Sequence, residues 1–174
     1  DARRQLTEIG RQMARLPVDV KLARMLVAAK QHDSLQEMIV IAAFMGIADP
    51  RERPADAKQA ADTAHRQFAD TGSEFLAVIR LWRAYRQMHE ELSQSQLRKW
   101  CERNFLSYLR MREWRELHRQ LLITARELQW PLPEWPDIEA RLEAAAQDTK
   151  AAARHYQQIH RAVLAGLPTQ IGHK

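Results

Sequence analysis

The stretch from residue 106 to residue 129 constrains the fold more than any other part of the chain. It contains neither glycine nor proline. Its apolar residues recur at steps of three, four and seven: Met111, Trp114, Leu117, Leu121 and Leu128. Residues at such steps share one side of an α-helix, so the pattern predicts one long helix with an apolar seam. A helix of this kind is stable in water only when other helices cover its seam.

Arginines occupy a second face of the same predicted helix. Successive steps of 4, 3 and 4 residues connect Tyr108, Arg112, Arg115 and Arg119. We call Arg112, Arg115 and Arg119 the arginine stripe. Continuing that face reaches Ile123 and then Arg126, so one apolar residue interrupts it. Arg112 and Arg126 would lie about 21 Å apart along the helix. That distance matches roughly three or four phosphates of an extended nucleic-acid strand. Guanidinium groups suit phosphate oxygens.

A solvated helix surface is the competing interpretation of the arginine stripe. Glu116 is spaced to pair with both Arg112 and Arg119 within the helix. His118, next to the stripe, is expected to be a packed histidine. The tryptophans at 82, 100 and 114 have core spacing and are not expected to stack on bases. These residues alone leave both interpretations open.

The positive charge of the chain is concentrated around this helix. The whole chain has a formal net charge of +5. Residues 96–130 contain eight Lys and Arg against four Asp and Glu, a net of +4, whereas residues 131–174 contain five of each. This distribution predicts a polyanionic partner at one place on the surface.

The rest of the chain is also predicted to be helical, which makes the fold class all-α. Good helix formers fill most of it, and there are only five glycines and seven prolines. Thr7 is expected to cap the first helix, and Ser34 with Glu37 is expected to form a capping box for the third. The expected helices cover residues 7–16, 20–30, 35–45, 56–68, 74–86, 95–105, 106–129, 138–146 and 151–167. The proline-rich "WPLPEWPD" is the predicted linker.

Several kinds of chemistry have no motif in the sequence. There is no phosphate-binding GxxxxGK[ST] loop, no HExxH and no CxxC, and the seven histidines are scattered. Cys101, the one cysteine, lies in an apolar seam and is expected to be a buried structural thiol. No apolar run approaches the roughly 20 residues that cross a bilayer. We therefore expect a cytoplasmic segment that is not itself catalytic, holds no metal or cofactor and contacts no membrane.

The order of several motifs resembles the helicase-associated region of DEAH-box RNA helicases. The beginning, "LTEIGRQMARLPVDVKLARMLVAA", is similar to the start of that region, and "LQEMIVIAAFMGI" to its next helix. Further matches are the Arg-Pro and Gly turn in "RERPADAKQAADTAHRQFADTGSEF" and the Trp-Cys and Asn-Phe pairs in "KWCERNFLSYLRMREWRELHRQL". The likeness covers roughly residues 5–125. "WRELHRQLL" and "LAGLPTQIGHK" resemble the long bacterial HrpA-type members.

This resemblance implies a helical ratchet domain in an ATP-dependent 3′–5′ RNA helicase. Such a domain packs on RecA-like motor domains, which bind ATP and Mg²⁺, follows a winged-helix domain and precedes an OB-fold. It forms one wall of a channel for single-stranded RNA. The implied division is a bundle at 1–129, the linker at 130–137, helices packing on the bundle at 138–167, and the truncated start of the next domain at 168–174. Whether the ribosome is a further partner stays open.

The resemblance and the charge pattern together select the predicted site residues. Arg112, Arg115 and Arg119 are the principal candidates for RNA phosphate contact, and Lys99 and Arg103 are secondary ones. Asn104 and Arg110 complete the phosphate-binding set, because Asn104 belongs to the matched Asn-Phe pair. Arg53 and Pro54 are predicted to contact a neighbouring domain. The competing function is a helical scaffold that docks an acidic protein, and an accessory domain of a DNA helicase is a third possibility.

Overall fold

The computed structural model describes residues 1–167, apart from the side chain of Leu6, and within that range the chain is all-α. The predicted fold class is therefore confirmed. Nine helices occur in the described part: α1 (Ala2–Arg15), α2 (Val20–Gln31), α3 (Leu35–Met45), α4 (Lys58–Arg66), α5 (Glu74–Glu91), α6 (Gln94–Arg103), α7 (Tyr108–Glu127), α8 (Trp135–Gln147) and α9 (Thr149–Ala165). The predicted start of a following domain, at 168–174, lies outside the described residues. No helix in residues 1–167 is long and apolar enough to cross a membrane.

Helix α3 is the centre of the bundle. Every residue from 35 to 43 is buried, because α2, α5, α7, α8 and α9 all pack around it. Its "LQEMIVIAAFM" sequence is apolar nearly all round, which is typical of a fully enclosed helix. Helix α9 packs against α2 and α3, with its largest contact on α2, and α8 packs against α9 and α3.

The apolar seam predicted for α7 is buried at three of its five residues, while Leu117 and Leu128 are only partly buried. Met111, Trp114 and Leu121 are each at most 1% exposed. The indole Nε1 of Trp114 donates a 3.0 Å hydrogen bond to the carbonyl oxygen of Val40 in α3. This seam fixes the rotation of α7, and so it fixes which way the arginines point.

The long helix begins at Tyr108, two residues later than the apolar pattern predicted. Phe105 has a positive φ of 53°, which ends α6 and reverses the chain. Leu106 then pairs with Arg51 in an isolated β-bridge, and the Ser107 amide donates to the Pro50 carbonyl at 2.7 Å. Ser107 caps the new helix through its side chain, which accepts from the Arg110 amide. The loop pairing takes Leu106 and Ser107 out of the predicted helix.

Two predicted helix caps are wrong. Helix α1 begins at Ala2 with Asp1 as its cap, while the Thr7 hydroxyl lies inside the helix and donates to the Arg3 carbonyl. Ser34 does precede α3, but its hydroxyl donates to the Gln158 carbonyl of α9 and makes no cap. The Glu37 carboxylate is turned into the bundle. The predicted capping box fails because both of its side chains have tertiary partners.

Glu37 belongs to a buried polar cluster that joins α3, α8 and α9. Its carboxylate is fully buried and lies 2.8 Å from His155 Nε2, itself only 4% exposed. Arg141 Nη1 lies 3.3 Å from the same carboxylate and also donates to the Asp33 carbonyl at 2.8 Å. Buried charges persist in proteins when they are paired in this way.

Helix α8 begins inside the predicted linker. It starts at Trp135, three residues before the predicted Ile138, with Pro136 in its first turn. Proline is compatible with that position because an amide there has no partner within the helix. Trp135 is buried, so the eighth helix is anchored at its first residue.

Candidate nucleic-acid interface

An open groove of about 770 Å³ runs between α5, α6 and α7 beside the arginine stripe. Its walls come from all three helices: Tyr85, His89, Leu92, Gln94, Leu97, Tyr108, Leu109, Arg112, Glu113, Arg115 and Glu116. We call it the α5–α7 groove. Two of the three stripe arginines therefore lie on one concave surface, as a bound strand requires.

Arg112 and Arg115 are the exposed cations of this groove. Neither guanidinium forms an ion pair or a side-chain hydrogen bond with any described residue. Arg112 lies over the Tyr108 ring, 5.8 Å from its centroid. Since no carboxylate holds these two groups, both remain available to an external anion.

Arg98 is a groove-side cation that the sequence did not predict. Its guanidinium carbon lies 4.7 Å from the centroid of the Tyr108 ring, close to Arg112. With about 100° per residue, Arg98 is about 40° around α6 from Gln94, which lines the groove. Lys99 and Arg103 fall about 140° and 180° from Gln94, on the other side of α6. Leu97, buried at 4% exposure, turns this side of α6 toward the groove.

Arg119 behaves as the competing interpretation predicts. It makes two contacts with Glu116, at 3.1 Å from Nε and 2.6 Å from Nη2. The hydrogen bond from Arg119 lowers the pKa of the Glu116 carboxyl below its ordinary value. Both side chains are about half exposed, and such surface pairs hold their partners only weakly. Arg119 must therefore break its contacts with Glu116 before it can bind phosphate.

Asn104 and Arg110 already have partners at the joint between α6 and α7. The Asn104 side chain donates to the Trp100 carbonyl at 2.8 Å and accepts from Gln67. Arg110 Nη1 donates to the Asp49 carbonyl at 3.0 Å. These bonds close the end of α6 and hold the 49–52 loop, and neither residue lines the α5–α7 groove.

Arg53 and Pro54 lie on the exposed loop before α4. Arg53 makes a two-pronged contact with Asp62, at 2.8 and 3.0 Å, and the Pro54 carbonyl accepts from the Ala57 amide. The local pairing orders the loop on the surface. Contact with a neighbouring domain at these two residues stays a prediction.

His118 is buried behind the stripe, as the sequence predicted for a packed histidine. Its ring lies 4.4 Å from the Trp82 ring, between centroids, and it is 6% exposed. Burial, together with nearby Arg86, Arg115 and Arg126, lowers the pKa of His118 to about 3. The imidazole is therefore neutral at pH 7.

Acid should destabilise the fold through His118. In the unfolded chain the imidazole takes up a proton near its ordinary pKa of 6.5, whereas in the folded chain it does so only near 3. The unfolded chain binds more protons between these values, so stability falls as pH falls through that window. We expect the free energy of unfolding to drop by about 1 kcal/mol per pH unit from pH 6 to pH 4.5. Urea unfolding at each pH measures it.

A His118→Phe variant isolates the histidine contribution, because phenylalanine keeps an aromatic ring beside Trp82 and cannot be protonated. Its unfolding free energy should change less with pH than that of the wild type over the same range. Equal slopes for both proteins would show that other groups carry the acid sensitivity.

The described residues offer little for metal or nucleophilic chemistry. No three His, Cys, Asp or Glu side chains cluster within residues 1–167. Burial raises the pKa of the Cys101 thiol to about 11, so the thiolate needed for nucleophilic attack is scarce at pH 7. What the site offers an external molecule is two unpaired guanidinium groups beside aromatic and apolar surface, with Glu113 and Glu116 also in the walls.

Comparison with known proteins gives one consistent assignment. Residues 19–109 match the family described as helicase associated domain (HA2), ratchet-like. The chain is 41% identical over 172 residues to a Haemophilus influenzae protein named ATP-dependent RNA helicase HrpA homolog, which covers 99% of this chain. It is 38% identical over 170 residues to the Escherichia coli ATP-dependent RNA helicase HrpA, which covers 98%.

The matched region is a small part of each relative. The chain spans 12% of the length of both curated proteins. The family match covers α2 to α6 and the first two residues of α7, which include the whole of the central helix and the α5 and α6 walls of the groove, and it ends before the arginine stripe. The chain belongs to the ratchet-like helicase-associated (HA2) domain family.

Proposed function

We propose that this chain is the accessory domain of an ATP-dependent RNA helicase and forms one wall of its single-stranded RNA channel. The observation that carries the proposal is the pair Arg112 and Arg115, which are exposed, free of carboxylate partners among the described residues and aligned on one groove. The names of the two relatives support RNA as the polyanion. Contacts to phosphate fix a strand without reading its sequence, which suits an enzyme that moves along RNA.

In this proposal the domain couples strand movement to a motor located elsewhere in the parent protein. RecA-like domains would bind ATP and Mg²⁺, and winged-helix and OB-fold domains would complete the channel in the cytoplasm. Residues 1–129 would be the channel-wall bundle, braced by the C-terminal helices. Arg53 and Pro54 would contact a neighbouring domain, since they are exposed on a loop that their local bonds keep ordered.

Removal of both groove arginines tests the proposal. The Arg112→Ala/Arg115→Ala variant should bind a single-stranded RNA oligonucleotide about 10- to 100-fold more weakly, because each charge-assisted contact to phosphate is lost. The slope of log affinity against log salt should also flatten by about 1.4, since each single-strand phosphate contact contributes about 0.7. Fluorescence anisotropy with the purified chain at several salt concentrations measures both quantities.

The Arg154→Ala/Arg161→Ala variant is the matched control. It removes the same charge from exposed positions of α9, which does not line the groove, and should leave affinity within about twofold. The Lys99→Ala/Arg103→Ala variant tests the two secondary candidates separately. We expect it to resemble the control, because both residues face away from the groove. Equal RNA affinity for the Arg112→Ala/Arg115→Ala variant and the wild type would contradict the proposal.

One observation favours the scaffold function as the second candidate. Leu109, at the edge of the groove, is 67% exposed, and apolar surface together with arginine is typical of the buried centre of protein interfaces. If the scaffold function is correct, the double arginine variant keeps its RNA affinity. The groove would then bind an acidic protein surface.

A further inference from the structure

A second, smaller crevice opens between α5 and α7 on the other side of Arg115. Its volume is about 300 Å³, at the lower end for small-molecule sites. The residues around it are Trp82, Tyr85, Arg86, His89, Glu90, Arg115, His118, Arg119 and Leu122. We call it the Trp82 crevice. Because Arg115 lines both concavities, an anion held by the groove lies at the edge of this crevice.

Three residues of the Trp82 crevice contain buried polar atoms that no described residue bonds. They are the indole Nε1 of Trp82, the hydroxyl of Tyr85 and the imidazole Nε2 of His118. The three residues are only 4%, 1% and 6% exposed. Proteins pair the great majority of their buried polar atoms, so three unpaired ones on adjoining side chains mark a place where a polar ligand group can bind.

The inside of the crevice is neutral and its rim is cationic. Burial raises the pKa of the Tyr85 hydroxyl to about 12 and lowers that of His118 to about 3, so neither group is charged at pH 7. Indole is a donor only, while neutral imidazole and phenol can donate or accept. Arg86, Arg115 and Arg119 supply the charge at the rim. A flat neutral heterocycle with a hydrogen-bonding edge fits the inside, and the phosphate attached to it fits the rim.

Access to the buried polar atoms would need movement at the rim of the crevice. All three atoms are shielded from solvent in the present conformation. Arg115 has no ion pair with a described residue, whereas Arg86 contacts exposed Glu90 at 3.6 Å and lies over the Trp135 ring, 5.0 Å from its centroid. Exposed side chains of this length change rotamer within nanoseconds. The Arg115 side of the rim can therefore move without any change in the helices.

We propose that the Trp82 crevice takes up one nucleobase of a bound strand, with Trp82, Tyr85 and His118 bonding its edge and Arg115 and Arg119 holding its phosphate. This inference rests on the proposed contact with RNA and makes it more specific. The domain would bind the strand through one inserted base as well as through its phosphates. The inserted base would give a moving strand a defined position at which it pauses.

The indole N–H of Trp82 reports occupancy directly. We expect its proton–nitrogen NMR peak, assigned by its disappearance in Trp82→Phe, to shift when uridine or adenosine monophosphate is added to the chain. Ribose 5-phosphate, which has the phosphate and no base, should leave the peak in place. An unmoved peak with every nucleotide would overturn the inference and assign the buried atoms to ordered water. This readout does not depend on strand binding.

Tyr85→Phe provides the second measurement, because it removes one unpaired hydroxyl and keeps the ring. The variant should unfold at the same temperature as the wild type or higher, since no protein partner is lost. It should bind an RNA oligonucleotide about 2- to 10-fold more weakly and an abasic oligonucleotide of equal length unchanged.

The outcomes separate the two proposals. Equal wild-type affinity for the normal and abasic strands would overturn the crevice inference while the groove arginines still matter. Unchanged RNA affinity in Arg112→Ala/Arg115→Ala would overturn the proposed function, and the Trp82 peak would then decide whether the crevice binds free nucleotides.

Discussion

Replacing Glu37 with alanine should cost the fold about 3–5 kcal/mol, a large part of the roughly 5–15 kcal/mol that stabilises a typical domain. The variant would leave His155 Nε2 buried without its 2.8 Å partner and would take from Arg141 one of its two carboxylates. It would also open a cavity at a fully buried position. Urea unfolding at pH 7, followed by circular dichroism, gives the difference in free energy.

Glu127→Ala is the matched control for that measurement. Glu127 makes an equally short contact, 2.8 Å to Arg15, but both side chains of this pair are about half exposed to solvent. Its removal should cost about 0–1 kcal/mol. A Glu37→Ala loss as small as that of Glu127→Ala would mean that the buried cluster contributes no more than a surface pair.

The same residue shows where sequence reasoning ends. Ser34 and Glu37 have the spacing of a capping box, and that local rule assigned both side chains to the start of α3. The actual partner, His155, lies 118 residues further along the chain. Nothing in the spacing indicates that α9 returns to cover this end of α3. By contrast, the seam of α7 was predictable. The helical spacing of Met111, Trp114 and Leu121 indicates a buried face, whichever helices cover it.

In the candidate site, too, some residues were predictable from the sequence and others were not. Arg112 and Arg115 were predictable as a face of α7, since their direction follows from the position of the seam. The choice between Arg98 and Lys99 depends on which side of α6 meets α7, and one helix alone cannot specify that. The crevice beside them was not predictable from local pattern, because Trp82 and Tyr85 have ordinary core spacing. Their unpaired polar atoms appear only once α5 and α7 are placed together.

Trp114→Ala should have a comparably large effect, about 3–5 kcal/mol, because the indole is fully buried between three helices. Its ring lies 5.1 Å from Phe44 of α3 and 4.9 Å from Trp82 of α5, between centroids. The variant loses those ring contacts and also the hydrogen bond to Val40. Urea unfolding followed by circular dichroism measures the loss without depending on tryptophan fluorescence.

Leu109→Ala is the control on the same helix, since its side chain is 67% exposed and its loss should change stability by no more than about 0.5 kcal/mol. Trp114→Phe should fall between the two, because it keeps a ring against Phe44 and Trp82 while losing the indole N–H. The Trp114 contacts set the rotation of α7, and that rotation points Arg112 and Arg115 into the groove. The Trp114→Phe chain, while still folded, should therefore bind RNA more weakly than the wild type. Equal stability of the Trp114→Ala and Leu109→Ala chains would contradict the packing role given to the seam.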